Sequence, residues 1–295
     1  TEMLENGWSA TPTIDEEFNM VNSLMTGNFE WGLIHGTELE EEGIGIALDK
    51  EKSIFLFGNV REDWSDKDDE MFLVKYDSDG EKLWSKNFGT DDYDSAASIN
   101  ISNDGYIYLT GDTRGNLNDQ NNQGEHDIFV IKLDSEGNEI WTKLFGTELS
   151  DRGWFNEVDD EGYIYIGGET HGDLNGELNA ETGDNSEDAY LMKIDSNGNE
   201  IWTKLFGDEL NQEAFHLGFG NNKDLYLIGE TNERETFNST GNYYDDAFIT
   251  KLDSDGNTLW TKTLGTNFND DASISGTFGE DDYFYVAGIT ESDLN

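Results

Sequence analysis

A tryptophan followed five residues later by a glycine recurs five times along this chain, and that recurrence constrains the fold more than any other feature. The pairs are Trp31 with Gly36, Trp84 with Gly89, Trp141 with Gly146, Trp202 with Gly207 and Trp260 with Gly265, so successive tryptophans stand 53, 57, 61 and 58 residues apart. A period of this length marks an architecture assembled from equal units, each too small to bury its own apolar surface.

Each unit carries three further landmarks. An aromatic, β-branched strand ends in glycine, as in YIYLTG and YIYIGG, and places Gly58, Gly111, Gly168, Gly229 and Gly288 in one register. A second strand, MFLVKYD, IFVIKLD, AYLMKID or AFITKLD, runs into an Asp-Ser-x-Gly turn beginning at Asp77, Asp134, Asp195 or Asp253. The tryptophan strand follows at once. Alternating apolar and polar residues separated by Asp/Asn-Gly turns predict antiparallel hairpins, and no stretch sustains a helical period. The 57 residues that follow Gly89, up to and including Gly146, hold four such strands, the size of one propeller blade. Tryptophan is then expected between neighbouring blades, and the glycine after it where the chain needs freedom to cross to the next.

The expected organisation is all-β, a β-propeller of four-stranded antiparallel blades. Residues 1–17 stand outside the repeat, 18–36 form a half blade, 37–89, 90–146, 147–207 and 208–265 form full blades, and 266–295 form a second half blade. Two half units would join as a composite blade that closes a ring of five. The alternative is an ordered fragment of a longer propeller.

Charge narrows the function. Against 65 acidic side chains stand 17 basic ones, a net charge of −48. Nucleic-acid binding relies on clustered Lys and Arg, so a nucleic-acid partner is not expected, nor is an anionic membrane surface. No apolar run reaches the ~18 residues of a membrane span, which argues against membrane insertion. The absence of cysteine excludes disulfide scaffolds, thiolate zinc sites and cysteine nucleophiles. Cations, or a basic patch on another protein, are what such a surface attracts.

The strings GYIYLTGDT (105–113), GNLNDQNNQG (115–124) and DIFVIKLDSEGNEIWTKLFGT (127–147), with their counterparts one unit on, resemble the bacterial seven-bladed β-propeller repeat, over about residues 31–295. The first unit departs from it, with REDWSDKDDE (61–70) in place of the GNLN-type loop. The resemblance implies a secreted or cell-surface protein of the kind found in bacteria including cyanobacteria. It implies no particular activity.

In a four-stranded blade the short turns share one face of the disc, and the long second-to-third loops share the other with the inter-blade links. The long loops here span 114–126, 171–187 and 232–245, and binding residues belong disproportionately on such loops. Ten residues after each tryptophan come Glu41, Asp94, Asp151, Gln212 and Asp270, so four carboxylates in register would ring the channel mouth as a cation or polyol site. Calcium, which takes six to eight oxygens, is the cofactor expected there or in the Asn/Asp-rich long loops. The alternative reading has each Asp bonded to amides of its own turn. Trp64, Tyr243 and Tyr244 in long loops, and Trp154, Phe155, Phe215 and His216 on inner strands, are candidates for stacking on a sugar, against plain filling of a narrow channel.

Catalysis has little support in the residue pattern. The four histidines lack metal-ligand spacing, and among so many acids no carboxylate pair stands out as a glycosidase would require. The expectation is therefore a non-catalytic binding or structural module, calcium-stabilised, with a polysaccharide or protein ligand on the long-loop face. The rivals are a polysaccharide-active enzyme on the same fold and an assembly subunit of a larger surface structure.

Overall fold

The computed structural model describes residues 19–21, 32–36, 39–61, 70–179, 187–207, 211–220, 222–232, 245–264, 275–279 and 283–288. Two short strands, β1 (Asn19–Val21) and β2 (Gly32–Ile34), pair as one hairpin. Four antiparallel four-stranded sheets follow. The first holds β3 (Glu40–Leu48), β4 (Ile54–Arg61), β5 (Glu70–Tyr76) and β6 (Lys82–Phe88), and the second β7 (Asp94–Ile101), β8 (Ile107–Thr113), β9 (Asp127–Leu133) and β10 (Glu139–Phe145). The third holds β11 (Asp151–Val158), β12 (Ile164–Thr170), β13 (Asp188–Ile194) and β14 (Glu200–Phe206), and the fourth β15 (Asn211–Phe219), β16 (Leu225–Asn232), β17 (Asp245–Leu252) and β18 (Thr258–Leu264). A last hairpin pairs β19 (Ser275–Phe278) with β20 (Phe284–Ala287).

Within each full sheet, chain order equals spatial order, and the first strands β3, β7, β11, β15 and β19 pack one on the next. This is the all-β propeller the repeat predicts. The two end hairpins form separate two-stranded sheets, and among the described residues no ladder joins them into the expected composite blade.

Strand alternation explains why the middle strands lack a polar face. Every residue of β8 and β9 is buried, because successive side chains point to opposite faces and both faces are covered by neighbouring blades. Leu109, Phe129 and Ile131 join Phe55, Phe57 and Leu73 of the first sheet in one core. Their strand neighbours Tyr108, Ile128 and Val130 join Ile164, Ile166 and Met192 of the third sheet in another.

The repeated tryptophan, lysine and turn form one inter-blade contact. Lys132 Nζ and Trp141 Nε1 both donate to the Ser196 carbonyl oxygen, in the Asp-Ser-x-Gly turn of the following blade, at 2.8 and 3.2 Å. Lys75 Nζ donates to the Ser135 carbonyl one blade earlier, at 3.2 Å. The turns are built to be gripped: Asp134 Oδ1 accepts the amides of Glu136 and Asn138, and Gly137 takes φ +72°, where a side chain is disfavoured. A Cβ on Gly137 would also lie 2.8 Å from the Trp84 ring. Tryptophan thus packs between blades as expected.

The glycine five residues later meets the expected need for backbone freedom at Gly89, with φ +151°, but has another reason at Gly146. Gly146 carries no positive φ; it is small because a Cβ there would fall 2.3 Å from Asp127 Oδ1. The second-strand glycine answers a β-bulge. Register slips between Ala96 and Ser98, leaving Ala97 unpaired, and a Cβ on the facing Gly111 would meet the Ser95 carbonyl at 1.9 Å. The same slip faces Gly58, Gly168 and Gly229.

Gly111→Ala is therefore expected to destabilise the fold by more than about 3 kcal/mol. Gly105→Ala, at φ +87° with nothing within 4 Å, costs about 1–2 kcal/mol. Chemical denaturation of both variants checks the pair, and equal losses would overturn the bulge explanation.

Candidate functional site

Of the carboxylates in register, Asp94 and Asp151 are each bonded to their own turn. Asp94 Oδ2 accepts the Thr90 amide at 2.5 Å and its hydroxyl at 3.0 Å, and Asp151 Oδ2 accepts the Thr147 amide at 2.6 Å and its hydroxyl at 2.8 Å. Both are fully buried, so each belongs to its own turn. Glu41 lies at the start of β3, near enough to His35 to act on it electrostatically. Asp270, Trp64, Tyr243 and Tyr244 lie outside the described residues.

The inner-strand aromatics divide. Trp154 and Phe215 are the unpaired bulge residues of β11 and β15, where Ile44 and Ala97 stand in the first two blades. Phe155, 5% exposed, belongs to the core between the third and fourth blades with Tyr165, Ala214 and Leu227, so its ring is packing and not a ligand surface. His216 bonds to the Gly276 backbone of β19, and burial pulls its pKa below the ordinary value.

The described parts of loops 114–126 and 171–187 are held by their own side chains. Leu117 and Leu174 are buried plugs, and the asparagines beside them, at φ +48° and +52°, donate to Thr142 Oγ1 and Thr203 Oγ1, each at 2.9 Å. Asn116 and Asp173 accept the amides of Asn122 and Asn179 at 2.9 Å.

What the long-loop face does build is a cleft of about 370 Å³ at the seam of the second and third blades. Arg114 and His126 come from the two ends of one long loop, Leu149, Ser150 and Arg152 from the inter-blade link and the start of β11, and His171 from the start of the next long loop. Glu125 completes the wall. The chain has four arginines and four histidines, and two of each meet here.

Buried carboxylates hold these groups from behind. Arg114 Nε donates to His126 Nε2 at 2.7 Å, so His126 carries its proton on Nδ1 and donates it to Asp112, 2.6 Å away and 3% exposed. Arg152 Nη1 donates to Glu169 at 2.8 Å, and His171 Nε2 stands 3.4 Å from Glu187 Oε1. The Arg114 guanidinium lies 5.8 Å from the centre of the Tyr93 ring. Ser150 Oγ, on a residue 7% exposed, has no hydrogen-bond partner among the described residues.

Behind the cleft, carboxylate oxygens of Glu169, Glu187 and Glu213 lie within 4.8 Å of one another. Among the described residues this is the one group of three such side chains close enough to share a cation. Burial, with Glu169 and Glu230 beside it, drives the Glu213 carboxyl far above its ordinary pKa, and it hydrogen-bonds to Glu169. The pair therefore holds a proton. Residue spacing did not reveal this trio, because its members come from β12, the second long loop and β15.

A larger cavity of about 430 Å³ lies on the opposite, short-turn face, between Asp159–Glu161 of the third blade and Lys223 of the fourth. Lys223 and Glu161 pair across its rim.

No family model matches the chain. Over 157 residues it is 28% identical to the regulatory protein FlaEY of Caulobacter vibrioides, a match covering 49% of this chain and 16% of that protein. Among solved structures it is similar to the α-L-arabinofuranosidase Arb93A of Fusarium graminearum bound to an iminosugar inhibitor, with a TM-score of 0.52 at 7% identity, covering 82% of this chain and 71% of that one. A variant of the same enzyme matches at 0.52 and 9% identity. At these identities the likeness to the solved structures concerns the fold. No helix is long and apolar enough to cross a membrane among the described residues.

Burial also pushes Glu157 up to about 7 and Asp127 up to about 6. A carboxyl with a folded pKa above its unfolded value stabilises fully below about 4, and that stability is lost as pH rises through the folded value. The melting temperature is expected to fall by several degrees between about pH 4.5 and about pH 8. Glu157→Gln, which keeps an acceptor for the Asn100 amide 3.0 Å away, should flatten the drop near pH 7. An unchanged profile in that variant would exclude Glu157 as its source.

Proposed function

We propose that this propeller binds polysaccharide on its long-loop face, as a secreted or surface-displayed module, with the cleft at the seam of the second and third blades as its site. The observation that carries the reading is the cleft wall: the guanidinium groups of Arg114 and Arg152 and the imidazoles of His126 and His171, held by carboxylates, beside a buried Ser150 hydroxyl that lacks a partner among the described residues. Buried polar atoms are nearly always satisfied, so an unsatisfied one on a cleft wall favours a bound partner there. Polar groups fixed in place on a cleft wall suit the hydroxyls of a sugar. The likeness in fold to a propeller that acts on an arabinofuranoside supports the substrate class without specifying it.

A second reading, hydrolysis of the bound glycan, is favoured by the proton held between Glu213 and Glu169. A carboxyl kept protonated near a second carboxylate is the equipment for protonating a leaving oxygen. Calcium belongs to the proposal at Glu169, Glu187 and Glu213, where it would compete with that proton.

Affinity electrophoresis in gels containing soluble polysaccharides tests the binding reading, with retardation expected on at least one glycan. His171→Ala should weaken it at least about tenfold with an unchanged circular dichroism spectrum. Free migration in every gel would sink it. Release of reducing ends that disappears in Glu213→Gln would establish hydrolysis, and no release from any retained glycan would remove it. A melting temperature identical with chelator and with calcium would remove the ion.

A further inference from the structure

We propose that the cleft binds the carboxylate of a uronic-acid sugar, with Arg114 and Arg152 as its partners and the Ser150 hydroxyl as a third donor. The inference rests on the glycan-binding reading and narrows it from sugars in general to acidic ones.

Charge distribution is the first argument. The whole chain carries −48, yet this wall sets two guanidinium groups against the single carboxylate of Glu125. The 430 Å³ cavity on the opposite face has three acids to two lysines along its wall. A planar guanidinium matches a carboxylate through paired N–H donors, which a point-charge lysine does not.

Donor inventory is the second. Arg114 uses its Nε on His126, and Arg152 uses one Nη1 donor on Glu169. Each guanidinium has five N–H donors, so both keep several for a ligand. Arg114 is exposed, and the Arg152 side chain is 35% exposed, so both reach the cleft. Ser150 links the two ends of the wall: its carbonyl accepts the His171 amide at 3.0 Å, and it pairs in a short parallel bridge with His126. Its hydroxyl, buried and without a partner among the described residues, belongs to a wall that carries two guanidinium groups. A carboxylate oxygen is the acceptor that such a set lacks.

The buried carboxylates behind the wall explain why the arginines do not fold back onto the acidic surface. Asp112, through His126, and Glu169 hold them from the protein side. The long-range field remains repulsive to an acidic polymer, whereas the contacts in the cleft are short-range. Screening should therefore help binding, the reverse of the usual salt effect between opposite charges.

Isothermal titration with the full chain tests this, using trigalacturonate, its methyl ester and an oligoglutamate peptide. The free acid is expected to bind at least about tenfold tighter than the ester, and no more weakly at about 150 mM than at about 20 mM salt. Arg114→Gln should remove the preference for the acid. Ser150→Ala deletes a hydroxyl with no partner among the described residues, so it should leave the melting temperature unchanged while lowering affinity for the acid about three- to tenfold. Equal binding of acid and ester would overturn the inference and leave the glycan reading standing. Oligoglutamate binding as tightly as trigalacturonate would overturn the sugar assignment in favour of acidic peptide. No binding of either sugar, with no retardation on any polysaccharide, would overturn both.

Discussion

A turn carbonyl oxygen gripped by the neighbouring blade carries this architecture. The serine carbonyls of two Asp-Ser-x-Gly turns, Ser135 and Ser196, are each reached by a lysine from the preceding blade, and Ser196 by a tryptophan indole as well. A turn peptide exposes that oxygen only if the turn is rigid, which the aspartate's two amide contacts and the glycine's positive φ secure. The lysine lies over an aromatic ring of its own blade, Tyr106 at 4.0 Å for Lys132 and Tyr163 at 4.2 Å for Lys193. A buried ammonium is thereby satisfied by a dipole and a π face, so the chain keeps its few cations at its seams.

From that contact the rest follows in sequence. Blades stacked face to face bury both sides of their middle strands, and long connections are driven to the one edge where the chain is not pinned by short turns. Cavities between stacked sheets then open at seams. The cleft at the second seam is built from loop ends and link, and these are also the points closest to the buried acids of β8 and β12. Asp112 and Glu169 are the residues that follow the bulge glycines Gly111 and Gly168. A packing device, the bulge, thus sits next to the charges that hold the site.

The face of the site was legible in the sequence and its residues were not. Loops 114–126 and 171–187 stood out by length, and the structure uses their end residues, Arg114, His126, His171 and Glu187. A signal for part of this was present: three residues after the second-strand glycine come Arg61, Arg114, His171 and Asn232, a basic side chain in three blades of an acidic chain. The registered acids were more conspicuous, but Asp94 and Asp151 turned out to be turn caps, because an aspartate four residues beyond a threonine amide meets it locally before it meets anything distant. Phe155 lies in the core for a related reason. The bulge at Trp154 shifts the strand by one residue, and alternation beyond it sends Phe155 into the core.

By itself the sequence determined the blade, because strand alternation, turn chemistry and a repeated tryptophan are local or periodic properties that survive being read one residue at a time. It determined which face would carry long loops for the same reason. Only the tertiary structure decided that Glu169, Glu187 and Glu213 lie together, and that Arg114, Ser150 and Arg152 share a wall. Those residues are brought together by the rotation from one blade to the next, and their chemistry depends on burial and mutual distance, which spacing along the chain does not encode.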